Sequence, residues 1–126
     1  AAATDPQNPE VLQVTRRNFE VNGLATDDTL FLAGDWAALA VEPVYDAVIG
    51  GDVTYDPSSY PALVGLLSRC LRPTGRAVIA SKSLYFGNGG GLGLFEAAMA
   101  SAGFRSAREQ VNTSGVLRYI AVFTRA

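Results

Sequence analysis

The 126 residues are 48% hydrophobic and 17% charged, which excludes a disordered tail and describes one globular unit able to bury roughly two-thirds of its unfolded surface. A net charge of −2 with scattered cations offers no basic field for nucleic acid, and no apolar run approaches the roughly 20 residues of a spanning helix, so neither nucleic acid nor a membrane is an expected partner. The single Cys70 can form no internal disulfide, which points to a reducing compartment, and the absence of His removes His-based triads, His general bases and most zinc sites.

The start Ala1-Ala2-Ala3-Thr4-Asp5 lacks the charged and apolar parts of a signal peptide and reads as the stub of a strand. Asn8-Pro9-Glu10 is a helix start, with Asn as cap, Pro in the first turn and an acid at the positive end of the dipole. That helix is predicted over residues 9–22, stopped by Gly23. A short apolar strand follows at residues 30–32, then Gly34-Asp35-Trp36. Residues 45–50 read as a nearly continuous apolar strand, the pattern of a parallel strand covered on both faces. After Asp56-Pro57-Ser58, apolar side chains at Leu63, Leu66, Leu67, Cys70 and Leu71 share one helical face, with Pro61 in the first turn and the cap near Ser59. Arg72-Pro73-Thr74-Gly75 is expected to end the helix, and residues 76–80 to form the next strand. Beyond a glycine-rich stretch, Phe95, Ala98, Met99 and Ala102 repeat the helical spacing up to Gly103. Residues 104–111 and 117–124 are two strands whose link, residues 112–115, is too short for a parallel crossover, so they form an antiparallel hairpin. No linker divides the chain, and the fold expected is a single α/β unit.

Four places can carry chemistry. Gly50-Gly51 allows a sharp turn after its strand, and Asp52 and Tyr55 beyond it can offer an acceptor and a hydroxyl to one polar substrate; the plain alternative is a turn Asp and a packed Tyr. Asp5 is placed to accept ribose hydroxyls at a strand end, or is a surface Asp; Asp35 could accept from an adenine amino group beside Trp36, or Trp36 is core. The stretch Tyr85-Phe86-Gly87-Asn88-Gly89-Gly90-Gly91-Leu92-Gly93 lies beyond the strand 76–80, at the edge where open α/β sheets bind ligands. Its glycine spacing fits neither a dinucleotide fingerprint nor a phosphate loop. It is either a flexible connector or, given its two aromatics, a pocket edge. Lys82, the one lysine, could pair with a carboxylate there or be solvated.

Taken together, Thr4-Asp5 leading into Asn8-Pro9-Glu10-Val11-Leu12, the run Tyr45-Asp46-Ala47-Val48-Ile49 through Asp52-Val53-Thr54-Tyr55-Asp56-Pro57, and Ala80-Ser81-Lys82 with Tyr85-Phe86-Gly87-Asn88-Gly89-Gly90-Gly91 resemble the family-16 seven-strand methyltransferases. Tyr-Phe-Gly-x-Gly-Gly-Gly steers the resemblance to the protein-histidine N-methyltransferases. It implies a truncated class I methyltransferase (Rossmann-like) α/β sheet with helices on both faces and the last strand inserted antiparallel. It implies S-adenosylmethionine as methyl donor, with Asp5, Asp35, Trp36 and Gly51 binding it, Asp52 and Tyr55 as catalytic residues, and Tyr85, Phe86, Gly87, Gly89, Gly90 and Gly91 binding the substrate. The substrate implied by the same resemblance is a protein, a ribosomal protein among the candidates, and the location cytoplasmic or nuclear. The family's first strand and glycine-rich cofactor loop have no counterpart in residues 1–126. In the family's strand order 3-2-1-4-5-7-6 that strand is central, so the strand at residues 45–50 should have an open edge or a non-native neighbour, and the chain alone should bind S-adenosylmethionine poorly. A lysine-directed enzyme of the same family, and a non-catalytic truncated interaction module, are the competing readings, with a dehydrogenase further off.

Overall fold

The computed structural model describes residues 2–5 by their backbone, and residues 9–39 and 45–126 in full. Contacts divide the chain into two compact units, Ala1–Leu39 and Ala40–Ala126, although no linker is visible in the sequence. The physical reason is that the strands pair in two separate sets.

In the first unit, β1 (Ala2–Asp5) pairs in parallel with β2 (Leu30–Ala33), Asp5 opposite Ala33, and α1 (Pro9–Val21) connects them. The proposed cap Asn8 lies outside the described residues. At the other end the helix closes as the sequence suggests: Gly23 has φ 70°, its N–H bonds the Glu20 carbonyl, and the Leu24 N–H reaches back to Phe19. Phe19 packs edge-on against Phe31 at 5.4 Å between centroids, and the Arg16 guanidinium lies 4.4 Å from the Phe31 ring centroid.

The second unit is a four-stranded sheet in the order β3 (Tyr45–Gly51), β4 (Leu71–Lys82), β6 (Arg118–Arg125), β5 (Phe104–Gln110). β3 and β4 are parallel, whereas β6 is antiparallel to both of its neighbours, β4 and β5. Among the described residues β3 pairs on one edge only. Two helices, α2 (Tyr60–Cys70) and α3 (Leu92–Ser101), complete the unit. α2 starts after a 3₁₀ turn, Pro57–Ser59, which the Asp56 carboxylate caps through the Ser58 N–H at 2.9 Å.

One expectation needs correction. Residues 72–75 do not separate α2 from the next strand, because β4 begins at Leu71, directly after the helix. Tyr45 pairs with Leu71 but Ala47 with Arg76, so residues 72–75 are accommodated as an irregularity inside the strand pairing. Gly75 fits there because an added Cβ would lie 3.0 Å from the Arg72 carbonyl and 3.1 Å from that of Asp46, and Arg72 Nη1 donates to both Asp46 oxygens, at 2.9 and 3.0 Å.

Burial alternates along β4 and β6 as a two-residue period requires. Ala77, Ile79, Ala121 and Phe123 form the core face with Leu63, Leu67, Leu92, Phe95 and Met99 of the two helices. Phe95 stands edge-on between Tyr60 and Phe123, at 5.2 and 5.5 Å. The predicted helical face of Leu63, Leu66, Leu67 and Cys70 is buried, and burial pushes the Cys70 thiol up from its ordinary value. Arg125 donates to the carbonyls of Ser68 and Leu71, at 2.9 and 3.1 Å, and so satisfies the negative end of α2. The opposite face of the sheet carries Ile49 and Ile120, which stay exposed within the described residues.

Candidate functional site

The carboxyl ends of β3 and β4 lie side by side, since Gly51 pairs with Ala80. The sharp turn expected of Gly50-Gly51 is made one residue later. Both glycines belong to β3, and Asp52 itself takes the left-handed conformation, with φ 52°. Asp tolerates that region better than most residues, and such a backbone persists where its surroundings hold it. Here the Asp52 N–H bonds the Ala80 carbonyl at 3.0 Å. Its carboxylate does not cap local backbone. Oδ1 accepts the Tyr85 hydroxyl at 2.7 Å, while Oδ2 has no hydrogen bond among the described residues and the side chain is exposed. The capping carboxylate of this loop is Asp56.

Tyr55 is 39% exposed and meets the Tyr85 ring edge-on at 6.4 Å. Lys82, half-buried, places its ammonium 5.4 Å from the Tyr85 ring centroid rather than in an ion pair. Phe86 projects from the same segment with 80% of its surface exposed. Asp52, Tyr55, Tyr85 and Phe86 are therefore all carried by two adjoining loops, as the sequence suggests.

The glycines beside them divide into two kinds. Gly87 and Gly89 are exposed, have φ 84° and 79°, and form the turn. Gly90 and Gly91, grouped with them as substrate-binding in the sequence reading, are buried instead, because other backbone passes against them. A Cβ on Gly90 would lie 2.3 Å from the carbonyl oxygens of both Thr54 and Tyr55, and one on Gly91 would lie 2.2 Å from that of Ser83. The Gly90 N–H bonds the Tyr55 carbonyl at 3.0 Å, which ties the glycine segment to the Asp52 loop. Gly93 falls in the first turn of α3, outside the loop.

Beneath this lies a buried polar network for which only residue identity could have given a signal. The Tyr60 hydroxyl donates to the Thr54 carbonyl at 2.6 Å and accepts the Gly91 N–H at 3.1 Å. The Thr54 and Ser81 hydroxyls are 2.6 Å apart, and Ser81 Oγ donates to the Lys82 carbonyl at 2.9 Å. Burial raises the Tyr60 pKa above its ordinary 10.0, the Gly91 hydrogen bond only partly opposing it. A tyrosine opening a helix with an apolar face was the available clue. The network fixes the loops that carry Asp52 and Tyr85 to α2 and α3.

Gly51 ends β3 with no atom within 4 Å of where a Cβ would sit, and it lines an apolar hollow of about 460 Å³ together with Ile49, Gly50, Val78, Ala80 and Ile120. In the first unit, Asp5 ends β1, its side chain outside the described residues, and its partner Ala33 leads into the Gly34 turn. Asp35 Oδ1 accepts the Ala37 N–H at 2.9 Å, which is a turn-capping role, and Trp36 is half-buried beside it. No cluster of His, Cys, Asp and Glu among the described residues could hold a metal ion, and no described helix is long and apolar enough to cross a membrane.

A family model described as lysine methyltransferase, of the family-16 type, matches residues 3–100. Among curated proteins, a "Histidine protein methyltransferase 1 homolog" of Dictyostelium discoideum is 33% identical over 93 residues, covering 71% of this chain and 30% of that protein. The rat protein of the same name is 35% identical over 81 residues, covering 64% of this chain and 22% of its own length. The chain thus spans less than a third of these relatives. Among solved structures, a Pyrococcus horikoshii protein matches all of this chain and 71% of its own with a TM-score of 0.79 at 16% identity. The N-methyltransferase NodS of Bradyrhizobium japonicum, solved with S-adenosyl-L-homocysteine, matches 98% of this chain and 65% of its own with a TM-score of 0.73 at 13% identity. The fold is that of the class I methyltransferases.

Proposed function

Because the chain belongs to the family-16 methyltransferases, we propose that it is the carboxyl-terminal part of the methyltransferase domain of an S-adenosylmethionine-dependent protein-histidine N-methyltransferase. The observation that carries the reading is Asp52, held at the end of β3 by Tyr85, with one carboxylate oxygen left to accept an N–H and the exposed Tyr55 and Phe86 nearby. Histidine rather than lysine is supported by the names of the relatives from Dictyostelium and rat, while the family description itself names lysine and keeps a lysine acceptor as the second reading. The chain spans less than a third of the length of these relatives, so the activity is proposed of the whole protein.

S-adenosylmethionine, when bound, supplies a sulfonium methyl already activated for transfer. The resemblance assigns Asp5 and Asp35 of the first unit as acceptors for its ribose hydroxyls and adenine amino group, with Trp36 as an adenine wall. Asp52 would accept the N–H of one imidazole nitrogen and so orient the ring, leaving the lone pair of the other nitrogen free to react. The proton that the imidazole gives up would pass to Asp52 or to water. Tyr55, Tyr85 and Phe86, with the exposed turn of Gly87 and Gly89, border the approach. Positioning of this kind can supply roughly 7 to 11 kcal/mol of barrier lowering. The acceptor is a protein side chain, a ribosomal protein by family resemblance, and the lone buried Cys70 suits a cytoplasmic or nuclear setting.

Incubating the longer protein with isotopically labelled S-adenosylmethionine and whole-cell protein, followed by mass-spectrometric mapping, tests this. Label on a histidine is expected; label on lysine, or none, overturns the histidine assignment.

A further inference from the structure

We propose that Tyr85 is a positioning residue that acts through Asp52, setting the direction in which the carboxylate presents its open oxygen; this rests on the assignment of Asp52 to the acceptor nitrogen. A tyrosine hydroxyl has one proton to give and can accept from elsewhere. In Tyr85 the Lys82 N–H, 3.0 Å away, supplies a donor to the oxygen, and Asp52 Oδ1 at 2.7 Å receives the proton. Ser81 Oγ, the other candidate acceptor, is at 3.5 Å and is already engaged with Thr54 and the Lys82 carbonyl. The phenol therefore points one way.

Both ends of this strut hang from β4. The Asp52 N–H is held by the Ala80 carbonyl, and the Tyr85 oxygen by the N–H of Lys82, the last residue of a strand paired on both sides. The ring is fixed as well, by Tyr55 edge-on at 6.4 Å and the Lys82 ammonium at 5.4 Å. With the Asp52 backbone in its left-handed conformation and Oδ1 occupied, Oδ2 is the oxygen presented to a ligand. Tyr85 thus does more than wall the substrate path. Its hydroxyl faces the carboxylate, and its ring supplies the wall.

The test is a double-mutant cycle in the longer protein, using the acceptor identified by the labelling experiment. Tyr85→Phe keeps the ring and both ring contacts but removes the hydroxyl. It should lower kcat about tenfold with KM and the melting temperature close to wild type. Combined with Asp52→Asn, it should cost nothing further, because its effect passes through that carboxylate. If Asp52→Asn slows turnover while Tyr85→Phe does not, or if the two losses multiply, Tyr85 has no positioning role and the assignment of Asp52 stands. If Tyr85→Phe melts early with kcat unchanged, its role is structural and the proposal is wrong. If neither substitution slows turnover, the assignment of Asp52 falls and the positioning role falls with it.

Discussion

A methyl group added at Gly90 would meet two carbonyl oxygens at 2.3 Å, those of Thr54 and Tyr55, and neither belongs to a side chain that can swing aside. Gly90→Ala in the longer protein should therefore cost about 3 kcal/mol or more of stability, as overpacking against backbone does. Gly87→Ala and Gly89→Ala meet open space and only the penalty of a positive φ, so about 1 to 2 kcal/mol is expected of each. Urea unfolding of the three variants distinguishes these costs, and equal costs would contradict the close approach at Gly90. Glycine content showed that this segment was special but not which glycines turn and which are crowded. That distinction depends on where the chain from Thr54 to Tyr55 passes, some 35 residues away in sequence. The same holds for Asp52: its place after a strand was legible, whereas its partner Tyr85 is a long-range contact that no local pattern encodes.

At the level of elements, the Tyr60 hydroxyl links the loop after β3, the start of α2 and the start of α3. Burial raises its pKa, so the folded state holds the proton more tightly than the unfolded chain does. The contribution is complete below pH 10.0 and is lost as pH climbs from there toward the raised value. Urea midpoints of the longer protein should decline above about pH 10, and Tyr60→Phe should lessen that decline while lowering stability at neutral pH, since the Thr54 carbonyl and Gly91 N–H lose their partner. An unchanged alkaline decline would exclude Tyr60 as its source. Elements with a strong period were readable: α2 from its apolar spacing, and the β5–β6 hairpin from its short link, with Asn112 accepting the Arg118 N–H at 2.6 Å in the connection. Residues 72–75 misled because Pro and Gly signal a turn equally well between elements and as an irregularity inside β4.

For the whole molecule, the strands pair in two separate sets, β1–β2 and β3–β4–β6–β5. The order within each set agrees with the one the family resemblance implies, and the antiparallel pairing of β5 and β6 was legible in the short link between them. How the units are divided was not, since no change of composition marks residue 39. Transfer is proposed at the Asp52 corner of the second unit. The most direct measurement is single-turnover methyl transfer by the longer protein carrying Asp52→Asn, at saturating S-adenosylmethionine. Asn keeps the size and tolerates the positive φ at this position, while the charge and one of the two acceptor oxygens are removed. A rate lowered about a hundredfold or more, with cofactor binding and melting temperature preserved, is the predicted result. Transfer at the wild-type rate would contradict the account.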